Sequence, residues 1–173
     1  MGKLTIVHVA PYLPYGVKIK TGANVIRELV VDIPKDEEIK KYVPIQYVIN
    51  GMGHSLILRP MSDLTKEEWL KVFRSCFSKE ALEVMEQFNL DVYLKPNSGT
   101  VWLYDVDKGM SFIAPKDYFI AYSSNSKSIG FTRGYCFDTL NFFKELYKLH
   151  ADIDGLIEKG LAIDINTLKR EVK

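Results

Sequence analysis

Residues 64–69 read Leu-Thr-Lys-Glu-Glu-Trp, and this short run divides the sequence into two kinds of chain. Thr65 and Glu68 have the spacing of a capping box, in which the hydroxyl accepts from the Glu68 amide and the carboxylate reaches back to the Thr65 amide. Leu64 and Trp69 stand at the two positions of a hydrophobic staple. A helix therefore starts here, with an apolar stripe of Trp69, Leu70, Phe73, Cys76 and Phe77. Ser78 caps a second helix with the stripe Ala81, Val84, Met85 and Phe88.

On either side the periodicity is that of strands. Before the helices, runs at 4–9, 17–20, 26–33, 42–49 and 55–59 are alternating or rich in β-branched residues, and Asn50-Gly51 is a tight-turn dipeptide that pairs the last two as a hairpin. Pro11 and Pro14 predict that 10–16 is neither helix nor central strand, and Pro44 places 42–49 at a sheet edge. Lys35–Lys41 is a charged connector. After the helices, strands are expected at 92–94, 101–104, 110–113 and 118–122, separated by turn sequences that contain Gly99, Gly109 and Pro115. Ser123–Ser128 is a polar loop. Asp138 or Thr139 opens a last long helix with the stripe Leu140, Phe143, Leu146, Tyr147 and His150. A short strand at 161–165 and a frayed tail at 169–173 end the chain. Strands in runs and helices in runs predict an α+β fold: mostly antiparallel sheets, two central helices and a C-terminal helix.

Composition limits the possible functions. The chain has 173 residues, of which 47% are hydrophobic and 12% aromatic, too many for a disordered chain. The length suits a single domain spanning 1–173. The net charge of +1 argues against a binder driven by the nucleic-acid backbone. Residues 1–60 hold 8 Lys/Arg against 5 Asp/Glu (+3), residues 61–110 hold 6 against 9 (−3), and residues 111–173 hold 9 against 8 (+1). Cys76 and Cys136 have no Cys-x-x-Cys partner and read as reduced thiols. No secretory signal, myristoylation motif or membrane-length apolar run is present, which predicts a cytoplasmic protein without membrane attachment.

Few motifs carry chemistry. Gly51-x-Gly53 lacks the third glycine and the following helix of a nucleotide loop. Asp105-x-Asp107-x-Gly109 departs from a calcium loop, because the glycine is one place early and Lys116 stands where the bidentate acid belongs. His150, Asp152 and Asp154 are the one dense set of potential metal ligands. The helical stripe that runs into His150 favours another reading, in which His150 ends a helix and Asp152 or Asp154 caps the next turn. Neither His8, in an apolar run, nor His54, beside Ser55, has the context of a catalytic base. No catalytic residue and no cofactor is assigned.

Binding candidates are clearer. Pro11-x-x-Pro14 with Tyr12 and Tyr15 reads either as a protein-binding epitope or as a segment pinned by its tyrosines onto the domain's own sheet. Tyr12, Tyr15, Lys18 and Lys20 together would make a small basic-aromatic face for single-stranded nucleic acid. Arg59 could pair with Asp63 and orient the junction of sheet and helix, or hold an anion beside the helix N-terminus.

Three stretches carry a resemblance: Val9–Lys18, Leu56–Lys66 and Gly155–Leu168. They resemble small proteins of phage and prophage genomes from gut bacteria, which share LAPYLPYGLK, ILRPLSDLTK and HFDVFGLIEKGLAIDINTL. The resemblance implies an intracellular protein of phage origin and attaches no activity to it. His150 and Asp152 fall on the family's His-Phe-Asp, but Ala151 and Asp154 each replace a Phe, so the third metal candidate lies outside the shared pattern. Residues 88–135 depart from the pattern and read as a lineage-specific β insertion.

The sequence thus predicts a non-enzymatic phage or prophage accessory protein that binds a host or phage protein, through the Pro/Tyr segment or the aromatic-rich second β region. A nucleic-acid-binding accessory protein is one alternative. A small enzyme or metal-binding hydrolase, with a cleft lined by His54, Arg59, Asp63 or His150, is the other.

Overall fold

A computed structural model describes residues 4–33, 39–50, 53–95, 98–110, 118–131 and 137–171. The protein is α+β, and the chain divides into two compact units. The first comprises Met1–Pro60 and Leu146–Lys173, and the second Met61–Glu145. The 88–135 stretch falls within the second unit. Among the described residues no helix is long and apolar enough to cross a membrane.

In chain order the elements begin with helix α1 (Ile6–Val9) and a 3₁₀ turn over Ala10–Tyr15. Strands β1 (Lys18–Lys20), β2 (Ile26–Val30) and β3 (Tyr42–Pro44) precede helix α2 (Ile45–Ile49) and strand β4 (Ser55–Leu58). Helices α3 (Lys66–Arg74) and α4 (Lys79–Met85) lead to strands β5 (Leu90–Lys95), β6 (Thr100–Asp105), β7 (Tyr118–Ser123) and β8 (Ser128–Phe131). Helix α5 (Thr139–Lys148), strand β9 (Ala162–Asp164) and helix α6 (Ile165–Glu171) complete the chain.

The first unit differs most from its sequence. The strand expected at 4–9 is mostly helix, and the proline segment is a 3₁₀ turn. Thr5 starts the helix by donating its amide to His8 Nδ1 at 3.2 Å, which also gives His8 a local role. Pro11 sits at the second position of the 3₁₀ turn, where no intrahelical partner is needed for an N–H. Gly16 ends that turn at φ +65°, a conformation that favours glycine.

The run 42–49 is likewise split. Pro44 ends β3, which is an edge strand of the sheet as expected, and is also the extended N-cap residue of α2, so its missing N–H and fixed φ serve both the edge and the strand-to-helix junction. Asn50 closes α2 by donating its amide to Gln46 O at 3.0 Å, and the expected hairpin with 55–59 does not form. Gly51, the second half of that turn dipeptide, lies outside the described residues, as do most of the connector at 34–38, Pro96, Ser111–Ile113 of an expected strand, Pro115, Cys136 and the last two residues.

The resulting five-stranded sheet is mixed, in the order β3-β2-β1-β4-β9. The β2–β1 and β1–β4 pairs are antiparallel, and β2–β3 and β4–β9 are parallel. Val17, Ile19, Leu29, Val43, Leu56 and Leu58 are buried in one core with Val9, Tyr12, Val48 and Leu156. The final alternating run forms β9 only as far as Asp164. There Asp164 Oδ1 accepts the Asn166 amide at 2.8 Å and starts α6, so Ile165 is helical.

In the second unit the expected capping box is present. Thr65 Oγ1 accepts from Glu68 N at 3.2 Å and Thr65 N donates to Glu68 Oε2 at 2.8 Å. Both staple residues, Leu64 and Trp69, are buried. Ser78 caps α4 through the Ala81 amide at 3.3 Å. The four strands β5-β6-β7-β8 pair in sequence order, each antiparallel to the next. One face buries Val92, Val101, Leu103, Ile120 and Tyr122.

Asp138 caps α5 through the Asn141 amide at 3.0 Å. The buried positions of that helix are Phe142 and Leu146, while Leu140 is 78% exposed. The aromatic core explains the rotation of the stripe: Phe142 lies 5.0 Å from Tyr122, 5.9 Å from Phe73 and Phe137, and 6.5 Å from Trp69, ring centre to ring centre.

Candidate functional site

Five of the residues singled out by sequence meet in the first unit, and each is used by the backbone. α5 ends in a Schellman motif: Ala151 N donates to Leu146 O at 3.1 Å and His150 N to Tyr147 O at 3.0 Å. His150 occupies the left-handed position, at φ +52°, that usually selects glycine. Its ring holds the conformation in place, because Nε2–H donates to Tyr15 O at 2.7 Å. The Tyr12 hydroxyl donates to Ala151 O at 2.7 Å. Arg59 N donates to His150 O at 2.9 Å and Asp152 N to Arg59 O at 2.8 Å, which extends β4 by one bridge to Ala151.

Asp152 is buried and accepts from Leu156 N at 2.7 Å through Oδ1 and from Ile157 N at 2.9 Å through Oδ2. It caps the following turn, the role that helical periodicity favoured. The Asp154 carbonyl accepts from Lys159 Nζ at 2.6 Å. The metal site read from His150, Asp152 and Asp154 is therefore corrected. Both Asp152 oxygens are turned to amides, and among the described residues no group of three or more His, Cys, Asp or Glu side chains is placed to hold a metal ion.

The Pro/Tyr epitope is corrected in part. Tyr12 is fully buried, its ring edge-on to Tyr147 with centres 4.9 Å apart, so it pins the segment and presents nothing to a partner. Burial, reinforced by the Asp152 carboxylate, pushes its ionisation far above the ordinary tyrosine range. Tyr15 is half-buried and contributes its carbonyl to His150. Lys18 is exposed and Lys20 half-buried on the outer face of β1. Lys18 stands opposite Glu28 and Lys20 opposite Ile26, so the expected basic face is a mixed one. Arg59 and Asp63 fall in different units. Asp63 is exposed and accepts from the Ser62 hydroxyl at 3.3 Å.

Of the two thiols, Cys76 is buried and donates to Val72 O at 3.0 Å. Burial pushes its pKa up to about 12, which leaves it protonated and unreactive at neutral pH. A surface concavity of about 440 Å³ runs along α3 between Glu67, Leu70, Lys71, Arg74 and Ser75.

The second β region is aromatic-rich in sequence, and the face opposite Val101 and Leu103 is more specific than that, with Trp102 only 9% exposed on it. The register aligns Tyr93, Trp102, Ala121 and Gly130 in one row across all four strands. Tyr93 stacks on Trp102 at 5.6 Å with 27° between the rings. The row then continues in the two smallest side chains. The next row is Lys95, Thr100, Ser123 and Ser128. The period-2 pattern Asp91-x-Tyr93-x-Lys95 was visible in the sequence, but its alignment with Gly130 needs β8, which lies just beyond the expected polar loop. No family model, no curated protein and no solved structure matches this chain.

Proposed function

We propose that this chain is a non-enzymatic accessory protein of a phage or prophage that acts in the bacterial cytoplasm by binding another protein. The phage origin and cellular setting rest on the three resembling stretches. The binding reading rests on the outer face of β1 and β2. Ile26 is 48% exposed there beside Lys18, Lys20 and Glu28, and Val25 and Val31, which flank β2, are 44% and 59% exposed. Large apolar groups framed by charges of both signs suit a protein surface better than a polyanion. Two further observations favour binding over catalysis: the polar groups around Asp152 are committed to backbone partners, and Cys76 is protonated.

Affinity capture from host cells tests this reading. Wild type and Tyr93→Ala are expected to retain the same partner, and Ile26→Asp combined with Lys18→Glu to lose it while the circular dichroism spectrum is unchanged. Equal capture by the Ile26 variant would refute it.

A further inference from the structure

Among the described residues β5 is bonded on one side only, to β6, and its other edge is open. Asn89 O accepts from Val106 N at 2.8 Å, which turns the odd-numbered residues of β5 toward β6. The backbone groups of Leu90, Val92 and Leu94 therefore point to the open edge. Leu90 N donates to Phe88 O at 3.1 Å, and Val92 N donates to Asp91 Oδ1 at 2.7 Å. The Leu94 amide has no side-chain acceptor among the described residues. The other Asp91 oxygen accepts from Lys66 Nζ at 2.8 Å, from the first turn of α3. Lys66 and Asp91 thus clasp the edge. An open row of backbone groups invites another strand, and a charged side chain laid across it holds one off.

The clasp is an exchangeable one. The Lys66 and Asp91 side chains are 55% and 38% exposed, a setting in which an ion pair contributes little. The strand also matches itself. Two copies of β5 running antiparallel must set outward-facing residues opposite one another, and Val92 opposite Leu94 of a second copy meets that condition. In this register Tyr93 stands opposite Tyr93 of the second copy, and each Asp91 opposite Lys95 of the other. These are non-hydrogen-bonded pairs, with Cα atoms about 4.5 Å apart, the closest cross-strand spacing. Lys95 is half-buried and makes no ion pair among the described residues, so its ammonium is available.

We infer that the open edge of β5 is a self-association surface for a second copy of this chain, and that the Asp91 clasp competes with it. On pairing, the Val92 amide exchanges Asp91 Oδ1 for the Leu94 carbonyl of the second copy. The Asp91 carboxylate exchanges Lys66 for Lys95. Only a second copy supplies both charges reciprocally. The surface lies on the second unit and stands independently of the protein-binding face proposed for the first.

Sedimentation of the full chain between about 10 μM and about 1 mM, with hydrogen exchange read at the Leu94 amide, tests the inference. Wild type should pass reversibly from monomer to dimer, and protection of Leu94 should rise with the dimer. Lys66→Ala should tighten the dimer about fivefold, because in both copies an exposed ion pair no longer competes. Lys95→Glu sets like charges opposite Asp91 and should loosen it at least about tenfold. Leu94→Pro removes an edge amide without touching the β5–β6 ladder and should leave a monomer. If the proline variant fails to fold, Lys95→Glu carries the test alone. Wild type and Lys66→Ala both monomeric at about 1 mM would overturn the inference. So would a dimer that a folded Lys95→Glu leaves as tight as before, and equal association of wild type and Lys66→Ala would overturn the clasp.

Discussion

The first sheet gathers its strands from both ends of the chain, with β4 pairing in parallel with β9, whereas the second adds its four strands in sequence order, each antiparallel to the last. Their means of support differ accordingly. The second unit closes over a continuous aromatic core of Trp69, Phe73, Tyr122 and Phe142. In the first unit, the returning segment 149–153 is fastened by a few directed bonds, from Tyr12, His150, Arg59 and Asp152. Side chains that look like chemistry in the sequence are here the fasteners of a non-local closure.

The comparison can be broken by removing each kind of support. Phe142→Ala should have the largest effect, about 3–5 kcal/mol of stability in urea unfolding, because it empties the centre of the aromatic core. Asp152→Ala should follow at about 2–4 kcal/mol, since two buried amides lose a charged acceptor. An Asp152→Ala variant as stable as wild type would show that the directed bonds do not hold the first unit.

A pH series sharpens the same contrast. In the folded protein Tyr12 and Cys76 hold their protons well above their ordinary ranges, through burial and, for Tyr12, the Asp152 carboxylate as well. Once unfolded, they ionise near about 10 and about 8.5. Above those values the unfolded chain binds fewer protons than the native one, so stability is full below about pH 8 and falls as pH rises, by about 1.4 kcal/mol per unit for each group. Tyr12→Phe should cost about 1–2 kcal/mol at neutral pH through the lost bond to Ala151 and should also flatten the decline above pH 10. An unchanged slope would remove Tyr12 from the account. The smallest effect is expected at His150. Glycine there relieves about 1 kcal/mol of left-handed strain but gives up the bond to Tyr15, so His150→Gly should fall within about 1 kcal/mol of wild type, and His150→Ala below both.

How much was legible follows from the same division. The capping box at Thr65 and Glu68, the Ser78 and Asp138 caps and three strands of the second sheet involve neighbours a few residues apart, and local chemistry sufficed for them. The parallel β4–β9 pair was not legible, because its register is set by burial of Leu56 and Ala162 on one face, a fact about distant segments. The proline segments were half legible: Pro44 does stand in the edge strand β3, but α2 after it and the 3₁₀ turn over Ala10–Tyr15 are too short to show a period. At the site, Asp152 was recognisable as a cap, but the row that aligns Tyr93 and Trp102 with Ala121 and Gly130 shows only once β8 is paired.

The claim that directed bonds close the first unit is tested most directly by thermal unfolding of wild type and Asp152→Asn. The account predicts a lower transition for Asp152→Asn, because a neutral amide replaces the charged acceptor of the Leu156 and Ile157 amides. An Asp152→Asn transition equal to that of wild type would contradict the account.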